Sequence, residues 1–234
     1  MNQNLQNKKG LVQDVFDKVY NKYDLMNDLM SMGIHRLWKK DLINWMAPFP
    51  KKKLIDMACG TGDLGKLFLE NTNYEGKVLF VDPNLKMLRK AMERLKNHKN
   101  ISWKKGSAEK VPAPNNCFDY YCISFGLRNA KNINRSLQEA YRVLRPGGRF
   151  ICLEFSKVQN LHFDKLYKKY SKLIPHIGKI VVGEKEPYEY LIKSIENFIN
   201  QDELIELMQK NNFTNCEYRN LNGGIVAIHS GWKI

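Results

Sequence analysis

Short apolar runs alternate with amphipathic helical segments between residues 51 and 156, and this alternation is the strongest constraint on the fold. In the segment after the second run, the apolar residues from Leu85 to Leu95 lie along one helical stripe. Strands that alternate with helices build right-handed βαβ units, so the sequence predicts a parallel, doubly wound sheet. The fifth strand is predicted to start after the turn at Pro146-Gly147-Gly148. The predicted strands are "KKLIDMA", "KVLFVD", "ISWKKG", "FDYYCISF" and "GRFICLEFS".

The C-terminal part of the chain breaks this alternation. A helical segment, "QDELIELMQKNNF", precedes two strand-like runs, "TNCEYRNL" and "GIVAIHSGW", which are joined through Asn222-Gly223-Gly224. Two strands with so short a connection must pair antiparallel. An open parallel sheet that ends in an antiparallel hairpin is typical of Rossmann-like methyltransferases, whereas dehydrogenases normally carry a sixth parallel strand there.

Length and composition indicate one α/β domain over residues 1–234. Within it we expect an N-terminal helical cap (1–50), a cofactor-binding βαβ core (51–156), a helical cover (157–200) and a terminal helix with the hairpin (201–234). The first of these segments contains a helical stretch, "HRLWKKDLINWM", that stops near Pro48.

The net charge of +14 indicates an acidic partner or surface. Nucleic acid, anionic lipid headgroups and simple solubility are the alternatives, and dispersed lysines without an aromatic stacking motif disfavour nucleic acid. No apolar run approaches a bilayer span, and the start of the chain lacks a secretory signal, so we expect a cytoplasmic protein. The five cysteines form neither a metal-ligand pattern nor a disulfide framework, which predicts reduced thiols and no metal.

The stretch from Ile55 to Gly65 contains "GTGDLG", which matches the G-x-G-x-x-G pattern of nucleotide cofactor loops. A dinucleotide brings an anionic pyrophosphate to such a loop, whereas S-adenosylmethionine is cationic at its sulfonium and amino group. Asp56 before the loop and Asp63 within it repel a pyrophosphate and therefore favour S-adenosylmethionine over NAD. Asp63 as a helix N-cap is the alternative. Asp82 ends the second strand, where its carboxylate can accept both ribose hydroxyls of either cofactor.

Further segments make the chain similar to a known family nearly from end to end. The most specific are "YDLMND", "FGLRN" and "LEFSK", and "NLNGGIVAIHSGWK" extends the match into the hairpin. The chain resembles the ubiquinone/menaquinone biosynthesis C-methyltransferases, which are class I S-adenosylmethionine-dependent enzymes. The resemblance implies an α/β, Rossmann-like fold: a mostly parallel seven-stranded sheet with a C-terminal antiparallel hairpin and an N-terminal helical cap.

The resemblance also implies how S-adenosylmethionine is held. It places the cofactor against Thr61, sets Ser107-Ala108 beside the adenine and puts Ser124 after the fourth strand. Asn84, which follows Pro83, and Met87 wall the adenosine. Cys59 stands where the family often has glycine and is small enough to leave the backbone accessible. The predicted cofactor site comprises Asp56, Gly60, Thr61, Gly62, Asp63, Asp82, Pro83, Ser107, Ala108 and Ser124.

Methylation of a ring carbon needs an electron-rich ring, and an ionised quinol supplies one. Arg128, just past the fourth strand, lies where doubly wound folds bind their ligands, so we predict that it stabilises the ring phenolate or activates a water. Pairing of Arg128 with an acid of the N-terminal cap is the alternative. Asn129 is predicted to orient the ring oxygen and Tyr23 to close the site against water. His35 or Asp24 is a candidate proton acceptor through water, with a solvent-facing His35 as the alternative.

The resemblance implies a polyprenyl benzoquinol or naphthoquinol substrate. The basic amphipathic run from Phe163 to Ile177 then suits peripheral contact with the anionic inner face of a membrane, and packing on the sheet is the alternative. A homodimer or a quinone-biosynthesis complex is a further expectation. Three other functions stay open: a class I methyltransferase for a small molecule or RNA, an NAD-dependent oxidoreductase, and a non-catalytic scaffold.

Overall fold

The computed structural model describes residues 28, 31, 33–158 and 186–234, and all structural statements concern this part of the chain. It contains a seven-stranded sheet. The strands are β1 (Lys53–Met57), β2 (Lys77–Asp82), β3 (Ile101–Lys105), β4 (Phe118–Ser124), β5 (Leu144–Phe155), β6 (Thr214–Leu221) and β7 (Val226–Lys233). Their order is β3-β2-β1-β4-β5-β7-β6. Strands β1 to β5 pair in parallel, and β7 pairs antiparallel with both β5 and β6, which confirms the predicted fold class.

Helices cover both faces of the sheet, because successive strand residues point to opposite sides. The helices are α1 (His35–Met46), α2 (Asp63–Asn71), α3 (Leu85–Arg94), α4 (Ile133–Val143), α5 (Glu186–Glu196) and α6 (Gln201–Lys210). Leu54 of β1 packs into a core shared with α1, α2, α3 and α5. Its neighbour Ile55 packs into a second core, shared with α4 and α6.

The chain reverses direction across the sheet between β1 and β4. It runs outward from β1 to β2 and β3, and then returns to place β4 on the other side of β1. In doubly wound folds such a switch point opens a crevice at the carboxyl ends of the strands, where ligands bind. The candidate site is therefore expected beyond Met57 and Ser124, the last residues of these two strands.

The start of β5 differs from the prediction. The strand begins at Leu144, before the turn, because Leu144 is buried and pairs with Phe118. The residues of the predicted turn lie inside the strand as an irregularity, after which Arg149 pairs with Tyr120. Gly147 adopts a φ of 77°, which a glycine tolerates without strain.

Helix α1 has the bounds predicted from the sequence and lies across the edge of the sheet that carries the crevice. The Trp38 indole Nε1 donates to Asn222 Oδ1 at 2.6 Å, in the turn between β6 and β7. The Lys39 ammonium contacts Asp63 Oδ2 at 2.7 Å, in the first turn of α2. Since these two contacts come from adjacent residues, α1 ties the last hairpin of the sheet to the glycine loop.

Several predictions fall outside the described residues. Tyr23, Asp24 and the basic run from Phe163 to Ile177 belong to segments 1–27 and 159–185. The predicted segment boundaries, including the helical cover at 157–200, stay predictions, and α5 lies within that range. In the part of the chain that the structure describes, no helix combines the length and the apolar character needed to cross a membrane.

Candidate active site

The glycine loop connects β1 to α2 through left-handed backbone. Gly60 and Gly62 have φ values of 54° and 83°, and Gly62 is the N-cap of α2. Gly65 serves packing instead, because a Cβ at this position would lie 2.2 Å from Cε1 of Phe80 on β2. The first two glycines thus shape the loop, and the third lets α2 approach the sheet.

Asp82, at the end of β2, joins the loops that follow β1 and β2. Its Oδ2 accepts the Gly60 N–H at 2.9 Å, and its Oδ1 accepts the Asn84 N–H at 2.8 Å. Burial raises the pKa of this carboxyl to about 6, although both N–H groups favour the ionised form. A carboxylate offers about four acceptor positions, so two stay available for ribose hydroxyls.

Asp56 lies beneath the glycine loop. Its Oδ2 accepts the Gly65 N–H at 2.9 Å, and the Cys122 thiol of β4 lies 3.7 Å from its Oδ1. Burial raises the pKa of Asp56 to about 7, and the Gly65 N–H opposes this shift. Asp56 therefore anchors the first turn of α2 to the sheet.

Asp63 is the first residue of α2, and the alternative that it caps this helix is wrong because Gly62 occupies the N-cap position. Its carboxylate contacts the Lys39 ammonium at 2.7 Å and the Arg94 guanidinium at 2.5 Å. Burial alone would raise the pKa of Asp63, but these cations hold it well below its usual range. Arg94 also donates to the Thr61 carbonyl at 3.2 Å and to its hydroxyl at 3.3 Å. The charge of Asp63 is thus balanced within the protein.

The remaining predicted cofactor residues lie near the ends of β2 and β4. The Gly106 N–H donates to the Asp82 carbonyl at 3.2 Å, which brings the Ser107-Ala108 segment beside the end of β2. Ala108 is buried and Pro83 is exposed. The Asn84 side chain caps α3, since its Oδ1 accepts the N–H groups of residues 86 and 87.

Ser124 ends β4, and its hydroxyl is a buried polar group that no hydrogen bond satisfies within the described structure. The loop after β4 lies against the loop after β1, because a Cβ on Gly126 would come within 2.7 Å of the Ala58 Cβ. The loops after β1, β2 and β4, which carry these predicted residues, therefore lie side by side.

Arg128, in the segment after β4, is buried and pairs with Glu154 of β5, a residue that the sequence analysis did not single out. Its Nη1 donates to Glu154 Oε1 at 2.5 Å and to the Phe125 carbonyl at 2.6 Å. Glu154 also accepts the backbone N–H groups of Arg128 at 3.3 Å and of Phe155 at 2.9 Å. The acid that Arg128 contacts is thus in the sheet, whereas the alternative placed it in the N-terminal cap.

Apart from these polar contacts, aromatic rings lie near Arg128. Its guanidinium carbon lies 5.5 Å from the centre of the Phe155 ring, and the Phe125 ring lies 5.0 Å from that of Phe155. The Trp38 indole of α1 packs against both phenylalanines, at 6.2 and 6.3 Å. Arg128 Nε is buried and makes no hydrogen bond within the described residues. Burial raises the pKa of Glu154, and the charge of Arg128 opposes that shift.

Two other predicted site residues, Asn129 and His35, also have hydrogen-bond partners. The Asn129 Oδ1 accepts the Tyr190 hydroxyl of α5 at 3.0 Å. His35 is buried, with its Nε2 3.0 Å from Asp28 Oδ1, so the alternative of a solvent-facing His35 is wrong. Burial lowers the pKa of His35, and the nearby Lys39 charge lowers it further, while Asp28 opposes both.

The fold and the crevice define a class of protein. A glycine loop after β1, an acidic residue at the end of β2 and an antiparallel final hairpin are the features of a class I S-adenosylmethionine-dependent methyltransferase. Solved structures share the fold. One is a Thermotoga maritima methyltransferase described as a possible histamine N-methyltransferase (TM-score 0.67, 18% identity, 95% of this chain and 99% of that one). Another is an Aquifex aeolicus methyltransferase (TM-score 0.66, 15% identity, 89% and 97%).

The sequence comparison defines the family. The chain belongs to the ubiE/COQ5 methyltransferase family, whose model matches residues 2–233. It is 47% identical to the ubiquinone/menaquinone biosynthesis C-methyltransferase UbiE of Rickettsia akari, over 97% of this chain and 94% of that protein. It is 44% identical to the UbiE protein of Brucella abortus, over 97% and 87%. The protein is therefore an S-adenosylmethionine-dependent C-methyltransferase.

Proposed function

We propose that this enzyme methylates a ring carbon of a polyprenylated quinol in the biosynthesis of ubiquinone, menaquinone or both. The observation that carries the proposal is the buried Arg128, whose guanidinium lies over the Phe155 ring and donates to the Phe125 carbonyl in the loop after β4. An aromatic acceptor that gains negative charge during reaction suits such a pocket. The names of the related proteins, which match this chain over nearly its full length, support the same substrate class.

The cofactor supplies an electrophilic methyl group on a sulfonium when it is bound. The residues of this chain suit its polar groups. Asp82 has acceptor positions left for ribose hydroxyls, and the unpartnered Ser124 hydroxyl offers a hydrogen-bonding group at the end of β4. We assign Thr61, Ser107 and Ala108, with the glycine loop, to the same cofactor site. Asp56 and Asp63 shape this site through Gly65, Lys39 and Arg94.

Arg128 acts on the ring oxygen. A phenolic hydroxyl has a pKa of about 10, so the ring needs help to ionise at neutral pH. A guanidinium stays protonated in proteins and therefore stabilises the phenolate or activates a water, without removing a proton itself. Asn129 orients the same oxygen. Tyr23 closes the site against water, and His35 or Asp24 receives the proton through water.

Because the hydrophobic tail of the substrate favours the membrane, the enzyme must contact a membrane surface to reach it. We assign this contact to the basic run from Phe163 to Ile177, whose lysines suit anionic headgroups. The protein then works from the cytoplasm on the inner face of the membrane, as a homodimer or within a quinone-biosynthesis complex. Flotation with anionic vesicles tests the contact: the full chain is expected to float at low salt and to be released at high salt.

The decisive experiment offers labelled S-adenosylmethionine with a short-tailed benzoquinol, a short-tailed naphthoquinol and total RNA, under reducing conditions. We expect transfer to at least one quinol and none to RNA. Transfer to RNA, or to neither quinol, would overturn the substrate proposal. The Arg128→Lys variant is expected to keep cofactor affinity and to lose turnover. In Arg128 one nitrogen, Nη1, donates to both Glu154 and Phe125, which leaves other guanidinium N–H groups for the ring oxygen, whereas lysine has a single nitrogen for all three.

Arg135→Lys is the matched control for this variant. Arg135 lies on α4, where its exposed guanidinium contacts Glu139 of the same helix. The control is expected to keep the turnover of the unmodified enzyme. An unchanged turnover in Arg128→Lys would remove Arg128 from the proposed role.

A further inference from the structure

We infer that Tyr190 is a positioning residue, which fixes the side-chain amide of Asn129 so that its NH2 group faces the ring oxygen of the substrate. This inference rests on the proposed function, because it concerns how Asn129 acts there. Its basis is one hydrogen bond, in which the Tyr190 hydroxyl donates to Asn129 Oδ1 at 3.0 Å. The two residues lie in separate elements, α5 and the short 3₁₀ helix at Leu127–Asn129.

Helix α5 is fixed to the core, so it can hold Tyr190 in place. Tyr188 and Leu191 on either side of Tyr190 are 0% and 3% exposed, and both belong to the core that contains Trp38, Phe125 and Phe155. Tyr190 itself is half-buried at the edge of that core. Burial raises the pKa of the Tyr190 hydroxyl, and the nearby charge of Arg128 lowers it.

The hydrogen bond decides which end of the amide is available. A primary amide has a carbonyl that accepts and an NH2 group that donates two hydrogen bonds. When the carbonyl of Asn129 accepts the Tyr190 hydroxyl, the NH2 group is the end left for a ligand. A ring oxygen that gains negative charge needs donors, and the carbonyl end of a flipped amide would repel it. Tyr190 therefore excludes the amide orientation that opposes the reaction.

Arg128, the residue before Asn129, is also held by a partner from another element. Arg128 is fixed by Glu154 of β5 through both its guanidinium and its backbone N–H. The two adjacent residues proposed to contact the ring oxygen thus each have a partner from a different element. Such support is what a preorganised site requires, because misplacement of a donor costs rate even when binding is retained.

Tyr190→Phe removes the hydroxyl and keeps the ring. We expect kcat for quinol methylation to fall about three- to ten-fold, the worth of one neutral hydrogen bond. The KM for the quinol and the affinity for S-adenosylmethionine should change by less than about two-fold, because the loss is one of orientation. Tyr74→Phe is the matched control: Tyr74 is exposed, stacks on His98 and should leave all three values unchanged.

A double-mutant cycle separates positioning from a general structural effect. In the Asn129→Ala background Tyr190→Phe is expected to cause no further loss of kcat, because the group that it orients is gone. A loss that is the same in both backgrounds, or an unchanged kcat in the single variant, would overturn the inference. Equal losses in cofactor affinity and in kcat would also overturn it.

A measurement without turnover keeps this test apart from that of the proposed function. The side-chain amide signal of Asn129, assigned by its absence in Asn129→Ala, should move in the ¹⁵N–¹H spectrum of substrate-free Tyr190→Phe. It should stay in place in Tyr74→Phe. A signal that does not move refutes the hydrogen bond between Tyr190 and Asn129, whichever molecule receives the methyl group. An unmodified enzyme that methylates neither quinol refutes the proposed function, and the spectrum still decides the contact.

Discussion

The pH dependence of cofactor affinity follows from the environment of Asp82. Burial raises the pKa of this carboxyl to about 6 in the cofactor-free protein. The ribose hydroxyls donate to the ionised form, so binding draws the pKa down and releases a proton. Because the pKa of Asp82 is raised in the free protein, the affinity for S-adenosylmethionine is highest above about pH 7, where Asp82 is ionised. It falls as the pH drops through 6 and Asp82 becomes protonated. At pH 5 about one molecule in eleven has an ionised Asp82, so the apparent Kd should rise about ten-fold.

Isothermal titration calorimetry of S-adenosylmethionine between pH 5 and 8 measures this effect. Repeating the titration at pH 5.5 in buffers with different ionisation enthalpies counts the protons, and we expect release of about three-quarters of a proton per cofactor bound. Asp82→Asn should bind weakly and lose the pH dependence, and Asp82→Ala should abolish binding. Asp202→Asn, at an exposed position of α6, is the control and should keep the profile. A Kd that stays constant from pH 5 to 8 would refute the reasoning, as would an unchanged profile in Asp82→Asn.

Three other variants test the contacts that shape the site, each by urea denaturation. Asp56→Asn should flatten the pH dependence of stability. The pKa of Asp56 is about 7 in the folded protein against 3.8 in the unfolded chain, so its ionisation destabilises the folded state by roughly 4 kcal/mol as the pH rises from 4 to 8. An unchanged slope contradicts this. Gly65→Ala should lose about 1–3 kcal/mol, because its Cβ overlaps the Phe80 ring; wild-type stability would show that the ring moves freely. Glu154→Leu should lose about 3–5 kcal/mol, since it leaves the buried Arg128 charge unpaired, and a smaller loss means that water reaches the guanidinium.

Local patterns were sufficient to predict the elements of the fold. The helical stretch that stops near Pro48 was predicted with the bounds that α1 has, and the final hairpin followed from its short connection. The start of β5 was misplaced because a Pro-Gly-Gly sequence normally ends a strand. Here the buried Leu144 pairs with β4 before that sequence, and the irregular register absorbs the extra residues.

The partners of the site residues were harder to predict, because they come from distant parts of the chain. Asn129 and Tyr190 are 61 positions apart, and Lys39 and Asp63 are 24 apart. A lysine on an amphipathic helix ordinarily faces solvent, so nothing in the sequence marked Lys39 as a partner of the glycine loop. Glu154 did carry a signal. A carboxylate inside the apolar run "FICLEFS" needs a buried partner, but nothing in the sequence identified that partner as Arg128.

The order of strands in the sheet has a consequence for how the chain folds as it is synthesised. β7 lies between β5 and β6 in space but comes after both in the chain. Until β7 emerges from the ribosome, β5 has one open edge and β6 has no strand to pair with. About 70 positions separate Phe155 from Val226, and ribosomes add about 5–20 residues per second. The nascent protein therefore exposes an unpaired apolar edge for several seconds, when a chaperone that shields strand edges would have the greatest effect on its yield.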